Sequence, residues 1–209
     1  MGSITKRAHP DPDRRTAVEQ RVLAATTELL DAGASYTELG VQRIASAAGI
    51  ARSTFYLYFK DKTELAIRLG GNLKQEIWDL GADWSPCPGG LSGLAEVFEN
   101  IIRHYRPRAA LLAAIAEVAG YDAEVQAAWN GSVDRFTLRM ADRLREEQAA
   151  GRAPVDLDPV LAAQVLVWSG ERVVAQQVAA GDPAQDALVA RELASQHWYG
   201  TFRRPPGES

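Results

Sequence analysis

The chain has 209 residues, 46% of them hydrophobic and 24% charged, with a formal net charge of −4. That is the balance of a globular protein with room for one large domain, or for a small one joined to a larger one. The single cysteine, Cys87, excludes an internal disulfide framework and any multi-cysteine metal site. No apolar run nears the roughly 18 residues of a membrane span, and the N-terminus lacks the apolar stretch of a signal peptide, so a cytoplasmic protein is expected.

In chain order, Val18, Val22, Ala25 and Leu29 recur at helical spacing, and Gly33 follows as a stop. A short helix is expected over 41–48, with Ile44, Ala45 and Ala48 inward. Gly49 breaks it, and a second short helix runs over 50–59. Asp61 is placed to cap a longer helix over 62–80 carrying Leu65, Leu69, Leu73 and Trp78. The segment GADWSPCPGG (81–90) is dense in Pro and Gly and reads as a loop. Further helices follow over 91–105, ended by Pro107, and over 108–119, closed by Gly120. A long one over 121–150 carries Val125, Trp129, Val133, Phe136, Met140 and Leu144 before Gly151 and Pro154 stop it. Asp158-Pro159 opens a helix to 180 with a cap and a first-turn proline, and Gly181-Asp182-Pro183 repeats the signal for a last helix to about 202. The expected fold is all-α, with about nine helices and no alternating strand pattern.

The stretch GIARSTFYLYFKDK (49–62) sets four aromatics in five positions between basic residues. Two short helices joined by a glycine turn make a helix-turn-helix, which lays its second helix in the DNA major groove. Ile44, Ala45, Ala48, Ile50 and Phe55 supply the apolar contacts between the two helices. Phe55 and Phe59, four apart, are assigned to the core. Arg52, Ser53, Tyr56 and Tyr58 are assigned to the outer faces, where their polar tips reach phosphates or base edges. Arg43, Arg52, Lys60 and Lys62 outnumber the lone acid Asp61 over 42–62. Upstream, Lys6, Arg7, Arg14 and Arg15 with Pro10 and Pro12 form a basic arm that either reaches a neighbouring groove or is a solvated tail.

The residues 44–65, IASAAGIARSTFYLYFKDKTEL, resemble the signature of TetR-type transcriptional regulators. The resemblance implies a three-helix DNA-binding domain over 1–60 and a ligand-binding and dimerisation bundle over 61–209. It implies that Gln42, Arg43, Arg52 and Ser53 read bases or nearby phosphates, that Thr54, Tyr56 and Tyr58 hold the backbone, and that Lys62 grips a phosphate with a helix N-terminus. Gly40 and Ala51 stand where the family has capping Ser or Thr, so those hydroxyl contacts to phosphate are missing here.

In the bundle, Trp129, Val133, Phe136 and Met140 would line one wall of an apolar ligand cavity. Leu94, Ile101 and Tyr105 would form a second wall and Val167, Glu171 and Val174 a third, with Trp78 closing the end nearest the DNA-binding domain. A plain core is the alternative reading of the same stripes. The spacing from Trp129 through GRAP (151–154) to Gly170-Glu171-Arg172 and Trp198-Tyr199-Gly200 resembles the ethionamide-activation repressors. Those carry paired asparagines on the eighth helix, where this chain has Val167 and Gly170, which favours a hydrophobic ligand with few hydrogen-bonding groups. The last two helices resemble the pair that dimerises, with Val165, Trp168, Val178, Leu188, Leu193, Trp198 and Phe202 as the two-fold interface. A ligand-responsive repressor on a palindromic operator is the function expected, with double-stranded DNA, a small hydrophobic ligand and a second copy as partners.

A helical-bundle enzyme is the rival from another class. Carboxylate-bridged metal bundles need paired Glu-x-x-His motifs, and this chain has none. His9, His104 and His197 are far apart in sequence, and no nucleophile elbow or phosphate-cradling loop is present. No catalytic residue, metal or cofactor is assigned. A regulator controlled by a partner protein instead of a ligand is the second alternative.

Overall fold

A computed structural model describes residues 12–81 and 84–204, with side chains from residue 15 onward. Of the basic arm, Lys6, Arg7, Pro10 and the Arg14 side chain lie outside the described residues. The described chain holds nine α-helices and divides into two compact units, Met1–Leu65 and Ala66–Ser209. None of the described helices is long and apolar enough to cross a membrane.

The first unit is built from α1 (Pro12–Asp31), α2 (Val41–Ala47), α3 (Arg52–Tyr58) and the first turn of α4 (Lys62–Gly81). Pro12, expected in the arm, opens α1, and Arg15 pairs with Glu19 one turn on at 3.0 Å. Val22, Ile44, Ala45, Phe55, Phe59 and Leu65 are wholly buried and form the core. The Phe55 and Phe59 rings stack at 5.2 Å, and each such burial stabilises by ~2–3 kcal/mol. Gly49, at φ 66°, makes the left-handed turn between α2 and α3 that a side chain would strain. Gly40 and Ala51 cap α2 and α3 without any side-chain hydrogen bond, as their side chains dictate. Asp61 caps α4 through the amide of Glu64 at 2.9 Å. The compact division falls after the first turn of α4 and not at 60/61, because Leu65 is buried and the Tyr36 hydroxyl donates to the Lys62 carbonyl at 2.6 Å.

The second unit holds the rest of α4, α5 (Pro86–Tyr105), α6 (Ala109–Ala119), α7 (Ala123–Ala149), α8 (Pro159–Ala180) and α9 (Asp186–His197). Asp122 and Asp158 cap α7 and α8 through two amides each. Helix α5 packs on α9 and α8, and α7 packs on α8 and α6. The chain after α9 makes one wider turn over Trp198–Phe202, closed by the Arg203 amide on the Trp198 carbonyl at 2.7 Å.

Two ion-paired clamps tie these helices. Arg106, after α5, forks onto both oxygens of Asp186 at 2.9 and 2.5 Å and also donates to the carbonyls of Val178 and Gly181. The buried Glu147 of α7 accepts from Arg152 and Arg203, whose hydrogen bonds hold its carboxyl below the usual range. Of the loop expected over 81–90, the stretch from Pro86 belongs to the start of α5, with non-helical backbone at Cys87 and Gly90. Trp84, just before it, is buried, donates to the Gly90 carbonyl at 3.2 Å and meets Phe202 edge-on at 5.3 Å. Gly89 and Gly93 permit this, since a Cβ would lie 2.9 and 3.1 Å from the Trp84 ring.

Candidate functional site

In the first unit, Gln42 and Arg43 open α2 and are exposed, as are Arg52 and Ser53 at the start of α3. Thr54 is half-buried. Tyr56 is 46% exposed, with the Arg52 guanidinium 5.8 Å from its ring centre. These side chains offer donors along an α3 face free of acids. Leu57, 71% exposed on the same short helix, escaped the sequence reading because a leucine beside aromatics reads as core. An apolar side chain there suits a thymine methyl.

Tyr58 corrects the sequence expectation. It does not face outward with Tyr56 but is only 7% exposed. It stands three residues after Phe55 and next to Phe59, and a two-turn helix packed on α1 and α2 turns this whole side inward. Lys62 is half-buried: its ammonium donates to the carbonyls of Tyr36 and Thr37 at 2.6 and 3.1 Å and lies 4.9 Å from the Tyr36 ring centre. Burial lowers its pKa.

In the second unit, a cavity of about 220 Å³ opens among α4, α5, α7 and α8. Ten of the eleven expected ligand residues line it: Trp78 from α4, Leu94, Ile101 and Tyr105 from α5, Val133, Phe136 and Met140 from α7, and Val167, Glu171 and Val174 from α8. Trp78 meets Phe136 edge-on at 5.3 Å and carries the Arg139 guanidinium 3.9 Å above its ring. Trp129 is the exception. It faces a neighbouring cavity of about 260 Å³ formed with Ile67, Gly70, Ile115 and Val125.

The walls are mostly apolar; Gln75, Ser132, Arg135 and Arg143 also border them, and Lys74 and Glu171 form a polar pole. Glu171 Oε1 accepts from Lys74 Nζ at 3.1 Å and from the Trp129 indole at 3.2 Å, and the same ammonium lies 3.8 Å from the Trp129 ring centre. Burial lowers the Lys74 pKa against the pull of Glu171. Burial, with the Glu171 charge in second place, pushes the Tyr105 phenol far above its ordinary value, so it stays a neutral donor. Lys74 was missed by the sequence reading, although it stands one turn before Trp78 on the same α4 face. Trp84 and Phe98 also line the cavity. Trp84 was masked by its Pro/Gly-rich surroundings.

The residues expected at a two-fold interface divide. Val165 is 70% exposed and Leu188 is exposed, and Trp168 and Trp198 are half-buried. Leu161 and Tyr199, not singled out by sequence, are exposed beside them. Val178, Leu193 and Phe202 are buried within the chain and cannot form a face toward a second copy. Leu193 shares the inward stripe Ala190, Leu193, Ala194, His197 of α9; Val178 continues Val174 on α8; and Phe202 packs on Trp84.

The family model described as "Bacterial regulatory proteins, tetR family" matches residues 22–69, and that described as "Transcriptional regulator EthR, C-terminal domain" matches residues 94–195. The transcriptional regulator AcuR of Cereibacter sphaeroides is 27% identical over 182 residues, covering 82% of each chain. A TetR transcription regulator from Haloarcula marismortui is structurally similar with a TM-score of 0.73 at 16% identity, covering 89% of this chain and 98% of its own. The transcriptional regulator FadR from Bacillus subtilis, solved in complex with stearoyl-CoA, has a TM-score of 0.70 at 21% identity, covering 87% of this chain and 98% of its own.

Proposed function

Since the chain belongs to the TetR family of bacterial transcriptional regulators, we propose that it is a repressor whose first unit holds a palindromic operator and whose second unit admits a small apolar molecule that releases it. The observation that carries this reading is the cavity of about 220 Å³ in the second unit, apolar on most of its wall. A mostly apolar cavity between helices with a few convergent polar groups is a ligand site in form. On the first unit, Gln42, Arg43, Arg52, Ser53, Thr54 and Tyr56 meet the duplex, and Lys62 stiffens the turn behind them.

Two copies join through the exposed apolar residues of α8 and α9, Leu161, Val165 and Leu188, with Trp168 and Trp198 at their edge. A two-fold dimer reads two half-sites about one DNA turn, roughly 34–36 Å, or a multiple of it apart. Ligand acts by binding one of two dimer states better, and it shifts the population by no more than that difference in affinity. The stearoyl-CoA bound by the similar FadR supports an acyl-length apolar guest for a bundle of this kind.

The test is selection from a random duplex pool at physiological salt, followed by release of the selected duplex with apolar compounds. An enriched palindrome released by a compound that also stabilises the protein supports the reading. A palindrome that no compound releases, but a second protein does, would replace the ligand with a partner. No enrichment at all would sink the DNA assignment.

A further inference from the structure

The cavity of the second unit has a mouth whose chemistry differs from its interior. Of the described lining residues, only Gly71 and Gln75 of α4 and Arg135 of α7 are exposed, so the cavity opens between those helices. One turn beyond Arg135 stands Arg139, also exposed, whose guanidinium lies 3.9 Å from the ring centre of the lining Trp78. Arg143 follows after another turn and borders the cavity too, 5.9 Å from the Trp84 ring centre. Residues four apart share a helix face, so α7 carries a row of three guanidiniums along this edge.

Two of these charges have no acidic partner among the described residues. Arg135 donates to the Ser132 hydroxyl at 3.0 Å and Arg139 covers Trp78, and neither forms an ion pair there. Asp142 pairs instead with Arg145 at 2.6 Å, Gln75 donates to Asp79 at 2.9 Å, and Glu146 acts on Arg143. Asp134, adjacent to Arg135 in sequence, projects from α7 about 100° away. Inside, the one acid of the described lining, Glu171, is held by Lys74 at 3.1 Å, and that pair cancels. Burial, with the charge of Arg139 in second place among the lowering causes, depresses the Arg143 pKa, as like charges drawn together do.

The row selects a head group. An anionic oxygen at the mouth accepts charge-assisted hydrogen bonds from the planar forks of Arg135 and Arg139. A neutral head forfeits that gain, and an ammonium is repelled by all three arginines. Resting on the ligand-binding reading above, we infer that the effector is an anionic amphiphile. Its carboxylate or phosphate head is bound at the mouth by Arg135 and Arg139, and its alkyl body lies along Ile101, Val133, Phe136 and Met140.

The test uses four probes of one chain length, octanoate, octyl phosphate, 1-octanol and octylamine, at pH 7 with the full chain. Binding is read by tryptophan fluorescence, to which the lining Trp78 contributes, and by thermal stabilisation. The tighter anionic probe is expected to bind at least about fivefold better than 1-octanol, with octylamine weakest. Octanoate ahead of octyl phosphate supports the proposal with a free acid, and the reverse order supports it with a phosphorylated molecule. Raising the salt from about 50 to 500 mM should shrink the anionic advantage, since exposed charges are screened. The double variant Arg135→Gln, Arg139→Gln changes two exposed side chains and should bring the anionic probes to the level of 1-octanol. An unaltered protein that binds 1-octanol or octylamine as tightly as the anions would overturn the head-group assignment and leave the cavity as a ligand site. So would a double variant that keeps the full anionic advantage. Failure of all four probes to bind would overturn both.

Discussion

On the proposed reading, single side chains on the first unit separate into those that hold a duplex and those that read it. Tyr56 has an exposed hydroxyl and no base-shaped fork, whereas Arg52 carries a planar fork suited to guanine. Tyr56→Phe should therefore weaken binding to all duplexes alike, by about 1 kcal/mol or several-fold. Arg52→Ala should instead flatten the preference at one position of each half-site by ~1–3 kcal/mol. Competition binding against a set of single-base operator variants distinguishes the two; equal loss of preference in both would refute the sorting. Lys62→Ala, expected from sequence to act on phosphate, also removes the bonds to Tyr36 and Thr37, so it should lower the stability of the first unit as well as affinity. Thermal melting alongside binding checks this.

At the scale of elements, His197 makes the packing of α9 sensitive to pH. Its ring lies 5.1 Å from Phe98 of α5, Nε2 meets the Ser169 hydroxyl at 3.2 Å, and Nδ1 is buried without a partner among the described residues. Burial lowers its pKa from 6.5 to about 4. The folded chain therefore keeps His197 neutral where the unfolded chain takes up a proton. Stability is full above the unfolded value and falls as pH drops from 6.5 toward 4. Between pH 7 and 4.5 this residue should cost on the order of 2 kcal/mol. Urea unfolding of the wild type and His197→Phe at both pH values measures it: the wild type should lose more than the variant by that amount. Equal losses would place the sensitivity elsewhere. The helix itself was legible: Gly181-Asp182-Pro183 announced its start and its apolar spacing its length. Which of its residues look inward was not, because α9 is covered by α5, distant in sequence.

For the whole molecule, the proposed assembly depends on residues that a single chain leaves uncovered. Val165→Glu or Leu161→Glu should convert a dimer to a monomer in light scattering while the melting of the isolated chain barely moves. The loss of paired half-sites should then reduce operator affinity steeply. Leu193→Ala should behave oppositely, costing about 2–5 kcal/mol of stability as a core cavity with no selective effect on association. If Leu193→Ala dissociated a well-folded dimer, the division into buried and outward residues would be wrong.

What the sequence determined by itself was local. Helix starts at Asp61 and Asp158, the glycine turn at Gly49, the stops at Gly33 and Gly120 and the apolar stripes of α4, α5, α7 and α8 follow from capping, backbone freedom and period, which involve neighbours within a turn or two. Those stripes also named ten of the cavity-lining residues, since the residues of a buried face are those that can border a gap between helices. Only the tertiary structure decided which apolar faces meet within one chain. It turned Tyr58, Val178, Leu193 and Phe202 inward and buried Trp84 from an apparent loop. It also assembled Lys74, Tyr105, Trp129 and Glu171 from four helices into one pole. No spacing encodes that pole, because each of its charges is tolerable only beside partners that distant parts of the chain supply.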